Sequence, residues 1–277
     1  MKNLKRSLGI CILLFFLIES ASAQKYRILI SNDDGIESPL LKTLSEELAK
    51  LPDVEVVISA PSENQSGSSQ STDGRTLKVE KISKDNEFFG YAVSGRPADA
   101  VRFGLRVLGK EEPFDLVISG INRGSNVGKL SHLSGTVGAA MEAIYHGIPA
   151  IAVSQEVRGV NTKVSAEFVS QVVSKYKKNG APKGVVISIN IPAGELKGVS
   201  INPMGDAYLD MGNYVLRSDS GNTSVYQQRL ALAKAKDSNS DTYAYQQGFI
   251  TITPLKFDWT AYELLQSIAE WGLEIKN

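Results

Sequence analysis

The sequence is short of reactive side chains. It has one cysteine, Cys11, and two histidines, His132 and His146. Cys11 lies within the first two dozen residues, so the remainder can form no disulfide, no thiolate zinc site and no cysteine nucleophile. Excess charge is missing too: thirty basic residues balance thirty acidic ones. Such a chain does not advertise a polyanion partner such as duplex nucleic acid. No Gly-x-Gly-x-x-Gly follows the first strand-like run, which argues against a dinucleotide-dependent oxidoreductase. The N-terminal apolar run, Leu8 to Ile18, is too short to span a bilayer comfortably. No internal repeat stands out.

The N-terminus carries its own pattern. Lys2, Lys5 and Arg6 precede the apolar run, and Ala21-Ser22-Ala23 follows it. That order predicts a secretory signal peptide over 1–23, cleaved between Ala23 and Gln24. The competing reading is a membrane anchor. With cleavage, Cys11 is lost, the mature chain of 24–277 is periplasmic or secreted, and no membrane association remains. About 250 residues can bury a substantial core as one α/β domain.

The body of the chain alternates apolar runs with amphipathic stretches. Tyr26 to Ile30 reads as a buried strand that stops at Ser31-Asn32-Asp33-Asp34-Gly35. Pro39 to Leu51 places Leu40, Leu41, Leu44, Leu48 and Leu51 at helical spacing. Val54 to Ala60 is a second buried strand. The polar stretch after it, Pro61 to Asp73, is long for a loop inside a compact domain, where such length is usually functional. Leu77 to Ile82 and Phe88 to Val93 alternate as strands. Pro97 suits a first helical position, and Val101, Leu105 and Leu108 continue that apolar face. Phe114 to Ser119 is another buried strand, followed by the polar loop Gly120 to Gly128. In the helix Val137 to His146, the small residues Gly138, Ala139, Ala140 and Ala143 predict close packing. Strands are expected over Ile148 to Ser154, Val185 to Ile191, Val199 to Asn202 and Gly248 to Leu255. Helices are expected over Thr162 to Lys178 and Trp259 to Trp271. Between them, 203–247 is rich in Gly, Asn, Ser, Asp, Gln and Tyr and reads as a hairpin or arm leaving the core.

This alternation predicts an α/β fold with a Rossmann-like, mostly parallel sheet covered by helices on both faces. Three polar loops directly follow buried strands: the Asp33 loop, the Ser66 loop and the Asn122 loop. In a parallel sheet all three emerge at the carboxyl edge, where open α/β sheets bind ligands.

Asp33 and Asp34 offer carboxylates, Ser66 a hydroxyl and Asn122 a side-chain carbonyl. This all-oxygen set suits magnesium, manganese or calcium rather than zinc or copper. A plain strand-to-helix turn would use the same Asn, Asp and Gly residues. Ser134-Gly135-Thr136 opens a helix and can seat a phosphate on backbone amides, or simply cap it. His132 lies close enough in sequence to Ser134 to touch a leaving group. His146, at a helix end, fits a surface histidine stabilised by the helix dipole.

Several stretches together resemble the survival protein SurE family. They are Asn32-Asp33-Asp34-Gly35-Ile36, Asn64-Gln65-Ser66-Gly67, Ser94-Gly95-Arg96-Pro97-Ala98-Asp99, Ser119-Gly120-Ile121-Asn122-Arg123-Gly124 and Ser134-Gly135-Thr136-Val137-Gly138-Ala139-Ala140. The resemblance implies a metal-dependent 5'/3'-nucleotidase acting on nucleoside monophosphates through metal-activated water. It implies one divalent ion, magnesium or manganese, on Asp33, Asp34, Ser66 and Asn122. Asn32, Asp33 and Asp34 then form the catalytic group. Phosphate and substrate contacts fall on Asn32, Ser134, Gly135, Thr136, Gly67, Arg123, Asn126, Ser94 and Asp99. It further implies a homodimer or homotetramer built through the 203–247 arm. The family usually has an acidic, aromatic-containing lead into Ser-Gly-Thr, whereas here that lead is Lys129-Leu130-Ser131-His132-Leu133.

Two rivals are weighed against this reading. A haloacid-dehalogenase-type phosphatase would need its nucleophilic carboxylate where Asn32 stands, and an amide cannot form an aspartyl-phosphate. A non-catalytic periplasmic nucleotide-binding or sensing protein could use the same cleft, and phosphate release from AMP separates it from an enzyme.

Overall fold

The structure is a computed structural model that describes residues 25–74 and 76–275. The expected signal peptide and its cleavage point lie outside the described residues. The strands are β1 (Tyr26–Ser31), β2 (Val54–Pro61), β3 (Val79–Lys84), β4 (Glu87–Val93), β5 (Leu116–Arg123), β6 (Ala150–Gln155), β7 (Val185–Ile191), β8 (Val199–Ile201), β9 (Leu209–Ser220), β10 (Thr223–Leu232) and β11 (Ile250–Lys256). The helices are α1 (Pro39–Leu48), α2 (Pro97–Phe103), α3 (Gly135–Tyr145), α4 (Thr162–Asn179), α5 (Asp241–Gln246) and the short α6 (Leu265–Ala269).

Nine strands form one sheet in the order β3-β4-β2-β1-β5-β6-β7-β11-β8. Neighbours from β4 through β7 are parallel, while β3 runs antiparallel to β4 and β11 antiparallel to β7, with β8 parallel to β11. Alternation along β1 explains the two layers: successive side chains point to opposite faces. Ile28 and Ile30 join Leu41, Leu44 and Leu48 of α1 and Ala166, Val169 and Val173 of α4 in one core. Leu29 joins Val101 of α2 and Val137, Ala140 and Ile144 of α3 in the other. Each such leucine or isoleucine, fully buried, contributes roughly 1.5–3 kcal/mol of transfer free energy.

The chain leaves β1 toward β2 on one side, and β5 returns on the other. The strand order therefore switches between β1 and β5, which places a crevice at their carboxyl ends. The loops after β1 and β2 and the last residues of β5 meet there.

Three elements depart from expectation. β5 runs on to Arg123 with an irregular register between Ser119 and Asn122, so Asn122 pairs beside Ser154 within the strand instead of lying in a loop. Only β9 and β10 project as a separate two-stranded hairpin. The flanking 203–208 and α5 pack back on the core through Asp241, whose Oδ1 accepts from Gly205 N at 2.7 Å and whose Oδ2 accepts from Gly128 N at 3.1 Å. The helix expected over Trp259 to Trp271 shrinks to one 3₁₀ turn, Tyr262–Leu264, and α6, all of it exposed. A short helix with no partner for its apolar face gains little from propensity alone.

Candidate active site

The turn after β1 is built by Asn32. Its Nδ2 donates to the Gly35 carbonyl at 2.9 Å and its Oδ1 accepts from the Gly35 amide at 3.2 Å. Gly35 has φ of +97°, where a side chain would be strained. This closed turn turns Asp33 inward and Asp34 toward the crevice.

Asp33 is 3 % exposed. Its Oδ1 accepts from the Thr136 hydroxyl at 2.6 Å, and its carbonyl accepts from the Gln65 amide at 2.7 Å. Burial pushes its carboxyl up to about 6; the Thr136 hydroxyl opposes that, and the nearby charge of Asp34 reinforces it. Asp34 is also held above its ordinary value, mainly by burial, against the pull of the Arg123 amide and guanidinium. Asp34 Oδ2 accepts from the Arg123 amide at 3.0 Å, and Oδ1 accepts from Asn64 Nδ2 at 3.4 Å. Among the described residues no basic side chain lies within ion-pairing distance of either carboxylate.

The other expected ligands sit on the neighbouring loops. Ser66 is exposed and follows directly on Gln65, whose amide is bonded to Asp33. Gly67 continues that loop with φ of +76°. Asn122 is 8 % exposed, and its Nδ2 donates to the Gly124 carbonyl at 2.6 Å, which leaves Oδ1 as an available acceptor. Among the described residues no three acidic, histidine or cysteine side chains converge. A cation in this crevice would be held by two carboxylates and neutral oxygens, a hard donor set that fits magnesium or manganese.

α3 begins against the carboxylates. The Ser134 hydroxyl accepts from Val137 N at 3.1 Å, so it caps the helix. A Cβ added at Gly135 would lie 2.6 Å from Ser68 Oγ and 2.9 Å from Asp33 Cβ; only glycine permits this approach. Thr136 is fully buried, with its hydroxyl given to Asp33 and approached by Asn126 Nδ2 at 3.5 Å. Asn126 Nδ2 also donates to the Ser154 hydroxyl at 2.7 Å.

The remaining expected positions have partners of their own. The Ser94 hydroxyl accepts from Lys78 N at 2.7 Å. Asp99 is buried and its Oδ2 accepts from Asp73 N at 2.8 Å and Arg96 N at 3.0 Å. With Arg96, which reaches Gln65 Oε1 at 2.6 Å and Asp73 Oδ1 at 3.1 Å, it clasps both ends of the Ser66 loop. His132 packs edge-on to Trp259, with ring centroids 6.5 Å apart. His146 is not a surface histidine. Its side chain is 8 % exposed, and its imidazole lies 3.0 Å from Glu142 Oε1 and 3.0 Å from Arg106 Nη2.

Sequence reasoning named Asn64, Gln65 and Arg96 within motifs but gave them no role, and it missed Glu142. Glu142 carried a signal, a lone acid among the small and apolar residues of α3, since buried glutamates are rare unless paired. Ser68 was missed as well: among the described residues its buried hydroxyl has no partner, and it faces Gly135 as the Asp33 carboxylate does.

The survival protein SurE family model matches residues 28–211. The chain belongs to the survival protein SurE family. It is 33 % identical over 256 residues to the 5'-nucleotidase SurE of Thermoanaerobacter sp. (strain X514), covering 90 % of this chain and 100 % of that protein. It is 39 % identical over 249 residues to the 5'-nucleotidase SurE of Wolbachia pipientis subsp. Culex pipiens (strain wPip), covering 87 % and 92 %. The crystal structure of the SurE protein from Aquifex aeolicus superposes with a TM-score of 0.76 at 33 % identity, over 88 % of this chain and 99 % of that one.

Proposed function

We propose that this SurE-family chain hydrolyses nucleoside 5'-monophosphates, and 3'-monophosphates as well, to nucleoside and phosphate. The observation that carries the proposal is the Asp33–Asp34 pair: two adjacent carboxylates at the strand-order switch, both held up by burial, with no ion-paired base among the described residues. The two relatives named 5'-nucleotidase support the same reading.

Asp33, Asp34, Ser66 and Asn122 would hold one divalent ion, magnesium or manganese. Bound there, it would polarise a phosphoryl oxygen and lower the pKa of a water. The chain's own residues orient the rest. Thr136 fixes the rotamer of Asp33, and the Gly124 carbonyl fixes the amide of Asn122. The first-turn amides of α3 at Gly135 and Thr136, with Asn126 beside Thr136, favour charge developing on the phosphate. Asn32 stands where an aspartyl-phosphate route would need a carboxylate, and both ends of its amide are used within the turn. The reaction is therefore direct displacement by water, without a phosphoenzyme.

Phosphate release from AMP by chelator-treated protein, with magnesium or manganese added back, tests this. Release restored by the ion and abolished in Asp34→Asn is the expected result. Binding of AMP without release under any of these conditions would make the chain a nucleotide-binding protein instead.

Two further readings belong to the proposal. The β9–β10 hairpin leaves Tyr214, Leu216, Val225, Tyr226, Leu230 and Leu232 exposed, a surface that suits a homodimer or homotetramer. The N-terminal pattern suits export and cleavage before Gln24, so the substrate would be a nucleotide outside the cytoplasm. An N-terminal peptide containing Cys11 in the mature protein would overturn the export reading.

A further inference from the structure

The loop over 62–73 carries Ser66 to the carboxylate pair without helix or strand of its own. Ser66 is exposed, and the backbone just after it takes two left-handed turns. Gly67 has φ of +76°, and Ser69, which is not a glycine, has φ of +51°. A residue other than glycine keeps that conformation only where its surroundings impose it.

Arg96 grips this loop at both ends. Its Nη1 donates to Gln65 Oε1 at 2.6 Å, directly before Ser66, and its Nε donates to Asp73 Oδ1 at 3.1 Å, at the far end. One guanidinium thus closes the loop. The base of the clasp is firm. Arg96 stands at the N-cap of α2, where its amide donates to Asp99 Oδ2 at 3.0 Å. The same oxygen accepts from the Asp73 amide at 2.8 Å. Asp99 is 1 % exposed, and Val101, two residues on, packs with Leu29 of β1. Gln65 carries the placement inward. Its side chain meets Arg96, while its own amide donates to the Asp33 carbonyl at 2.7 Å.

We propose that Arg96 is a positioning residue for the divalent ion, acting by holding the Ser66 hydroxyl beside Asp33 and Asp34. The inference rests on the ligand set of the hydrolase reading above. Arg96 makes its salt bridge with Asp73, and its side chain is 39 % exposed. An ion pair that open adds little to global stability, so what the clasp supplies is the placement of the loop. Lysine cannot supply it, because a single ammonium lacks the fork that spans two acceptors.

The test is manganese binding to chelator-treated protein, followed by titration calorimetry without substrate. Arg96→Ala should raise the manganese Kd about tenfold, the loss usual for partners just outside a coordination shell. Arg96→Lys should recover only part of it. Ser66→Ala should weaken binding by itself, and in the Ser66→Ala protein Arg96→Ala should add nothing further. The manganese concentration for half-maximal phosphate release from AMP should rise with the Kd, while KM for AMP at saturating manganese stays constant. Melting in chelator should move by less than about 3 °C. An unchanged Kd, the same loss in the Ser66→Ala background, or a raised KM at saturating manganese would overturn the proposal. The calorimetry needs no turnover. Protein that binds manganese through the clasp yet releases no phosphate would refute the hydrolase reading and leave the clasp standing. Phosphate release by Arg96→Ala with an unchanged Kd would do the reverse, and wild-type protein that takes up no manganese would overturn both.

Discussion

Asp33→Asn should make the cation-free protein more stable while removing its activity. Asp33 is 3 % exposed and its carboxyl is raised from 3.8 to about 6. The folded state therefore holds this proton more tightly than the unfolded chain. Its contribution to stability is complete below about 3.8 and is lost as pH rises through about 6. At pH 8 the ionised carboxylate costs the fold roughly 3 kcal/mol, from 1.36 kcal/mol per pH unit across that gap. An asparagine keeps an oxygen for the Thr136 hydroxyl and carries no charge, so it escapes the penalty. For a domain of this size the difference corresponds to roughly 6–12 °C in melting temperature. The assay is thermal unfolding of both proteins in chelator at pH 5 and pH 8, repeated with manganese. The variant should melt above wild type by the full difference at pH 8 and by about half of it at pH 5. Manganese should raise the wild type at pH 8 and leave the variant unmoved. A variant that melts below wild type at pH 8 in chelator, or gains equally from manganese, would refute the reasoning.

Gly138→Ala should lower kcat although alanine favours helix by about 1 kcal/mol, because the added methyl would collide with the Ser69 carbonyl and displace the Ser66 loop; unchanged kinetics would show that the loop can move at no cost. Glu142→Ala should destabilise the protein by about 2–4 kcal/mol in urea unfolding. It removes the carboxylate that accepts from Arg102 Nε at 2.7 Å and His146 Nε2 at 3.0 Å, and a loss under 1 kcal/mol would mean the cluster is held by solvent instead. Deleting 210–231 with a short turn in its place should lower the mass measured by light scattering while leaving the sheet's circular dichroism intact, and an unchanged mass would remove the hairpin from the assembly.

The sequence by itself determined the sheet's interior and the position of the carboxylate pair. Apolar runs such as Ile28 to Ile30 must be buried on both faces, and that demand alone orders strands, covering helices and the edge where the loops emerge. Asp33 and Asp34 are neighbours in the chain, so their juxtaposition needed no folding to be seen. Tertiary structure decided what each polar side chain meets. Periodicity reports the face a residue presents and not the group across from it. Thus Asp99 meets the amides of Asp73 and Arg96; His146, expected at the surface, is enclosed by Glu142 and Arg106; and the Thr136 hydroxyl is committed to Asp33 across 103 residues of chain. The clasp on the Ser66 loop is of the same kind, since Arg96 opens α2 while Gln65 and Asp73 lie on the loop after β2, and only the packing of α2 against the sheet brings them together.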